Sequence, residues 1–343
     1  MRENEIIAAQ ELLDEKGHLV NPGWSRSLFA RYDQSKIKAS RLRIKDWDYY
    51  YVGDGRNVLA LTIADLGYIG LVTVTVINLE EKTEHNVTAM PLLPLGRLGV
   101  PVGDLSGDVR YRDKKLDVSF IDKGEIRTLL CHVPAFKDGQ SLDAEITLHQ
   151  PPMDTMVIAT PWKENPKAFY YNQKVNCMVA EGIVTIGKEK IAFDPSTAFS
   201  TLDRGRGVWT YDNTWYWGSG NGIVDGSPFG LNIGYGFGDT SRASENIIFF
   251  KNEGHKLGRL TFGIPQESYC REELPWSFVS EDGRLDMQMK PVYDRRALIK
   301  IGPILNDGHQ VFGVFSGHVL LDDGTKLRFK DIHGFAEKIH NKY

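Results

Sequence analysis

Cysteine is scarce, with three thiols in 343 residues, and Cys131, Cys177 and Cys270 lie far apart. An odd, dispersed set supplies neither a disulfide framework nor the paired spacing of a zinc site. No Cys-His signature accompanies any of them, so each reads as a small buried hydrophobe, with a catalytic thiol as the alternative. Long apolar runs are missing too. Nothing approaches the length of a membrane span, and the N-terminus has no apolar core of signal-peptide type, so a cytoplasmic protein with no membrane span is expected. Nor does one charge sign dominate. Lys plus Arg number 41 and Asp plus Glu 45, a net of −4, and both signs are scattered, which excludes the basic footprint of a nucleic-acid partner. His309, His318, His333 and His340 crowd the C-terminal third without metal-binding spacing, so neither a metal nor a cofactor is expected. Helical periodicity is confined to an acidic amphipathic stretch over residues 5–13. This predicts an N-terminal helical segment, residues 1–30, with the remaining helices few and short.

What is present is β-forming sequence. Hydrophobic residues make up 41% and charged residues 25% of the chain, values of a globular protein whose length exceeds what one core usually serves. Six Asp-Gly dipeptides, beginning at Asp54, Asp138, Asp225, Asp282, Asp307 and Asp323, punctuate runs of β-formers and suit hairpin turns in which both central residues need positive φ. Pro151, Pro152, Pro161 and Pro166 interrupt regular structure over 151–166 and suggest a crossing between two packed β units, 31–160 and 161–343.

Three windows concentrate candidate chemistry. The stretch from Asp203 onward joins Asp203, Arg204 and Arg206 to Trp209, Trp215 and Trp217, three of the seven tryptophans. On a strand, Trp209, Tyr211, Asn213, Trp215 and Trp217 share one face and Thr210, Asp212, Thr214 and Tyr216 the other. If the aromatic face lines a cavity, Asp203 or Asp212 can act as acid or base, with Arg204 or Arg206 fixing its ionisation. The alternative is a solid aromatic core closed by an Arg-Asp pair. The window Lys45-Asp46-Trp47-Asp48-Tyr49-Tyr50-Tyr51 groups Trp47, Tyr49 and Tyr51 opposite Asp46, Asp48 and Tyr50. Facing inward, Asp48 is a buried carboxylate suited to proton transfer; facing outward, the reading this window favours, it belongs to a solvated strand face. In the third window, which contains Asn232 and Tyr235, glycine recurs at 234, 236 and 238, as where a ring or backbone approaches closely. Glu245 is a further acid candidate or a strand-start residue, and His333 a substrate-orienting or surface histidine.

Lys45-Asp46-Trp47-Asp48-Tyr49-Tyr50, Ala64-Asp65-Leu66-Gly67-Tyr68, Arg204-Gly205-Arg206-Gly207-Val208-Trp209, Trp215-Tyr216-Trp217-Gly218-Ser219-Gly220 and Gly234-Tyr235-Gly236-Phe237-Gly238-Asp239 together resemble the family of domain of unknown function 2804. Phe169-Tyr170-Tyr171, Glu181-Gly182-Ile183-Val184-Thr185-Ile186-Gly187 and the run from Gly207 to Trp215 are more distantly similar to tandem-lipocalin proteins such as carotenoid hydratases, kievitone hydratase-like enzymes and related cyclases. That resemblance implies a mostly β protein of two antiparallel calycin-like barrels in tandem. In that group a Gly-x-x-Trp-x-Asp stretch precedes another Trp near the ligand cavity, and Gly207, Trp209, Tyr211, Asp212 and Trp215 hold the nearest positions here. The expected function is a cofactor-independent hydratase, cyclase or isomerase acting on a hydrophobic or terpenoid-like small molecule, as a monomer or homodimer. Its candidate catalytic residues are Asp48, Asp203, Asp212, Arg206 and Glu245. Trp47, Tyr49, Trp209, Tyr211, Trp215, Trp217, Asn232, Tyr235 and His333 are the candidate substrate contacts. A carrier for a lipid or pigment and a carbohydrate-active enzyme with two facing carboxylates are the alternatives.

Overall fold

The computed structural model describes residues 3–101, 107–302 and 304–343. Among them the backbone is mostly extended, and the 3-10 turn Gln34–Lys36 is the only helical element. Among the described residues no helix is long and apolar enough to cross a membrane. The helix expected near the N-terminus is not formed over the described part of residues 1–30; residues 1 and 2 lie outside the described set. Gln10–Glu11 instead pairs in parallel with Ala30–Arg31, and Glu5 and Leu13 make single bridges to Trp24 and Leu19. Leu12 and Leu13 are both buried, in a cluster with Tyr32, Phe169 and Tyr171. Tertiary pairing has overridden a weak local helical preference.

Two large antiparallel sheets build the molecule. The first runs through Thr83–Ala89, Gly70–Asn78, Asn57–Asp65, Lys45–Gly53, Phe199–Val208, Asn165–Ile186, Gln140–His149, Ile126–Lys137, Asp117–Asp122 and Val109–Arg112. It curls until His85 and Phe136 have ring centroids 6.3 Å apart, and encloses Tyr50, Leu61, Val74, Phe120, Leu129 and Ile146. The second runs through Glu253–Lys256, Ile247–Phe250, Ser227–Tyr235, Asp212–Val224, Lys326–Lys342, Ile304–Leu320, Leu285–Ile301, Trp276–Ser280 and Leu260–Gly263. Its curl brings Tyr235 and Phe262 to 5.5 Å around Phe229, Leu231, Trp276, Phe278 and Phe315. The mostly β class with two curled antiparallel half-barrels is therefore the one expected.

Five of the six Asp-Gly pairs sit between consecutive hairpin strands. The pairs at Asp138 and Asp225 have positive φ at both residues (51° and 76°, 49° and 72°), as a type I′ turn requires. Asp307-Gly308 lies instead inside the strand Ile304–Leu320, paired with Leu298 and Ala297 on one side and with His340 and Ile339 on the other. The proline-rich segment is not the crossing between units either. Met156–Trp162 pairs with the first half of Asn165–Ile186 and belongs to the first sheet. On its other side only residues 157–159 are paired, so Pro161 occupies an edge position where a missing N–H is tolerated. The chain passes between sheets at residues 209–211, after Phe199–Val208 and before Asp212–Val224.

The two sheets meet along the outer faces of their central strands. In Lys45–Gly53, Tyr50 and Val52 point into the first core, while Tyr49 and Tyr51 pack on Trp217, Phe312 and Phe335 of the second sheet. Both faces of this strand are buried, so the solvated face expected for Asp46, Asp48 and Tyr50 does not exist. A bulge in Asn165–Ile186 matters equally. The register slips between Val175 and Met178, with Cys177 at φ 59°. Before it Tyr170, Asn172, Lys174 and Asn176 face the junction; after it Met178 and Ala180 face the first core. One extra residue redirects half a strand.

Candidate functional site

At the junction the packing leaves a cavity of about 340 Å³. Trp47 and Tyr49 from Lys45–Gly53, Trp215 and Trp217 from Asp212–Val224, and Trp209 and Phe237 from the adjoining loops form its walls. The rings support one another edge to face: Trp209 and Trp215 each lie 5.2 Å from Phe237, and Trp47 lies 5.5 Å from Trp209. Trp47 also needs Gly205, because a Cβ there would come 1.9 Å from the indole. Gly205→Ala is therefore expected to displace that ring and destabilise the protein by about 1–3 kcal/mol, measured by urea unfolding.

Polar groups enter the cavity at two places. Lys174 Nζ sits 2.9 Å from Asp203 Oδ1 and 3.9 Å from the centre of the Trp217 ring. Asn172 Nδ2 donates to the same Asp203 oxygen at 2.5 Å. Beside this pair, Tyr170 Oη donates to Glu245 Oε1 at 2.9 Å. Burial pushes the Glu245 carboxyl above its ordinary range and the Tyr170 phenol well above 10. Gly234 makes room for Glu245, since a Cβ at 234 would lie 2.7 Å from Glu245 Oε2.

The second polar group is Glu337, on Lys326–Lys342. Its Oε1 accepts the Trp215 indole N–H at 3.0 Å and its Oε2 the Gln310 amide at 3.2 Å. Gln310 also reaches Tyr49 Oη at 3.4 Å and accepts from Arg295 Nη1 at 3.4 Å. Burial raises the Glu337 pKa to about 7, although the indole hydrogen bond and the Lys174 charge oppose the shift. A buried carboxyl balanced between its two protonation states can donate or accept a proton near neutrality.

The sequence candidates separate sharply. Trp47, Tyr49, Asp203, Trp209, Trp215, Trp217, Tyr235 and Glu245 line the cavity. Asn232 stands behind it, accepting the Trp217 indole N–H at 2.8 Å and donating to the Glu245 carbonyl at 2.8 Å. Asp48 and Arg206 are fully buried, but in the first barrel: Arg204 Nε and Arg206 Nη2 both lie 3.1 Å from Asp48. Asp212 is exposed and bound to His340 and Lys342, and Tyr211 is 47% exposed. The chain bends at 209–211, which breaks the alternation that put Tyr211 with the tryptophans. His333 borders a separate hollow of about 230 Å³ with Tyr51, Asp54 and Asp331. Lys174, Glu337, Gln310 and Tyr170 were not singled out in sequence. The strand of Tyr170 and Lys174 carried a partial signal, polar Asn172, Lys174 and Asn176 at every second position, whereas Glu337, followed by Lys338, His340 and Asn341, carried none.

The family model for domain of unknown function DUF2804 matches residues 3–343. The chain belongs to the DUF2804 family. No curated protein matches it. Solved structures extend the DUF2804 picture at the level of fold. Kievitone hydratase from Nectria haematococca is 13% identical with a TM-score of 0.54, over 97% of this chain and 98% of that one. CghA, crystallised with Sch210972, is 11% identical with a TM-score of 0.52, over 99% and 97%. An AttH candidate from Nitrosomonas europaea is 12% identical with a TM-score of 0.51, over 87% and 92%. The tandem lipocalin-like fold expected from the sequence is the one this DUF2804 member shares with them.

Proposed function

We infer that the chain is a cofactor-independent enzyme that protonates a small, mainly apolar molecule in the cavity between its sheets, with Glu337 as the acid. The carrying observation is the Glu337 carboxyl, raised to about 7 and fixed by Trp215 and Gln310 inside an aromatic enclosure. Proton addition to an alkene or a conjugated carbonyl generates cationic character, which the faces of Trp47, Trp209 and Trp217 stabilise. Hydration, cyclisation and isomerisation all begin this way, and the fold is shared with a kievitone hydratase. The Lys174–Asp203 pair and the Tyr170–Glu245 pair supply polar ends that orient an oxygen function of the ligand. Asp212 has no part in this reading, and Asp48 and Arg206 serve the first barrel.

Glu337→Gln keeps the size of the side chain but cannot donate an acidic proton. Protein purified from its own host as parent and variant, with bound small molecules extracted and compared by mass spectrometry, provides the test. The expected result is a substrate on the variant and, on the parent, its isomer or a product differing by the elements of water. The same compound on both proteins would favour a carrier and overturn the catalytic assignment.

A further inference from the structure

We propose that the rim of this cavity docks peripherally on an anionic lipid bilayer. Three segments meet there. The turn at residues 41–43 touches the turn at 66–69, since a Cβ on Gly67 would fall 2.4 Å from the Arg41 carbonyl oxygen. Loop 90–99 is tied to the same turn, with Leu93 N donating to the Tyr68 carbonyl at 2.9 Å and Leu95 N to the Gly67 carbonyl at 3.1 Å. Leu66 and Leu71, on either side of that turn, line the cavity. The third segment is the tip of the Leu285–Ile301 and Ile304–Leu320 hairpin, whose Ala297 and Asn306 line the cavity from the second sheet. Ala297 itself is exposed, which marks this end as the mouth.

Fifteen large hydrophobic side chains are exposed among the described residues, and seven of them collect here: Leu42, Met90, Leu92, Leu93, Tyr211, Leu298 and Ile299. Such clustering marks an interaction surface. The charge around them decides the partner. Arg41, Arg43, Arg97, Arg296 and Lys300 are all exposed, and the segments 41–43, 90–99 and 296–300 contain no carboxylate. The neighbouring acids are already engaged, Asp65 by the backbone N–H groups of Gly67 and Gly96, Asp212 by Lys342 and His340, and Asp307 near Arg296 at 3.9 Å. Aliphatic tips flanked by cations insert into the headgroup layer while the cations meet anionic lipids. The arrangement rests on the reading of the cavity as a site for an apolar molecule, which would then enter from the bilayer without crossing water.

Sedimentation with vesicles of phosphatidylcholine, alone or mixed with phosphatidylglycerol, tests this. Binding is expected to the mixed vesicles and to weaken with salt. It should fall about fivefold for each charge removed in Arg41→Gln and Lys300→Gln. The combined Leu92→Ser, Leu93→Ser, Leu298→Ser and Ile299→Ser variant should lose it, whereas an Ile7→Ser and Val279→Ser control should bind as the parent does. Because all eight substituted positions are exposed, unchanged urea midpoints should accompany these effects. No binding to mixed vesicles, equal binding to neutral ones, or an unaffected aliphatic variant would overturn the proposal. So would a parent dimer that the aliphatic variant dissociates, which would assign the rim to a second copy of the chain. Glu337→Gln should bind vesicles like the parent, so a failure of the catalytic reading is distinguishable from a failure of this one.

Discussion

Replacing Arg204 with methionine is expected to destabilise the protein by about 3–5 kcal/mol, the usual effect of removing one partner from a buried ionic set. The Arg204, Asp48 and Asp122 side chains are 2%, 0% and 3% exposed. Arg204 bridges the two carboxylates, each at 3.1 Å, while Arg206 holds the other oxygen of Asp48 and Arg127 lies 3.4 Å from Asp122. Without Arg204, two carboxylates share an apolar barrel with less compensation than they had. Adding Asp48→Asn to Arg204→Met should recover part of the loss, and urea unfolding of the parent, both single variants and the double variant measures that coupling. Additive losses would show that the contacts do not act as a set. These residues lie on the far side of their strands from the cavity, so ligand content per folded molecule should be unchanged.

Glu337→Gln should stabilise the protein at alkaline pH while removing its proposed activity. Burial raises the folded carboxyl to about 7, against 4.5 for a free glutamate. Between those values the folded state holds a proton that the unfolded chain has released, so stability declines as pH rises through this window. The full decline is about 3 kcal/mol at roughly 1.4 kcal/mol per pH unit. The amide never ionises, although it fits the donors of Trp215 and Gln310 less well. The variant should therefore exceed the parent by about 2 kcal/mol at pH 8 and show no advantage at pH 4.5. Asp46, raised to about 6 by burial, declines in the same sense at lower pH, and Lys45, lowered to about 7 by burial, gains stability as pH rises from 7 toward 10.5. Both are common to parent and variant and cancel in the comparison. A difference that does not change with pH would show that Glu337 titrates normally and would remove its standing as the acid.

The hairpin architecture was legible because turn chemistry is local: Asp138-Gly139 and Asp225-Gly226 adopt the positive φ values that their residue types permit. The aromatic wall was legible in part, because Trp47, Trp209, Trp215 and Trp217 are too large and too many to be surface decoration. Burial of both faces of one strand was not. Alternation predicts a wet face opposite a dry one, yet here Asp46 and Asp48 are buried on the first-barrel side of the strand, Asp48 held by Arg204 and Arg206 and Asp46 by Tyr32 and Gln34. Asp212 failed for the complementary reason. A single bend after Val208 carries it outward, and no composition signal distinguishes it from Asp203. Glu337 was hidden because its partners, Trp215 and Gln310, come from two other strands, so nothing within its own window indicates that it is enclosed.

The bulge at Asn176 and Cys177 gives the chain an unequal tolerance of different genetic lesions. A substitution along Asn165–Ile186 alters one contact, but a deletion or insertion of one residue before the bulge exchanges the two sets of side chains wholesale. It would send Lys174 and Asn172 toward the interior of one barrel and bring Val175 and Tyr171 to the seam. Length variation among relatives should accordingly be found in the hairpin tips and not along this strand, whose reading frame is as much a part of the site as the residues themselves.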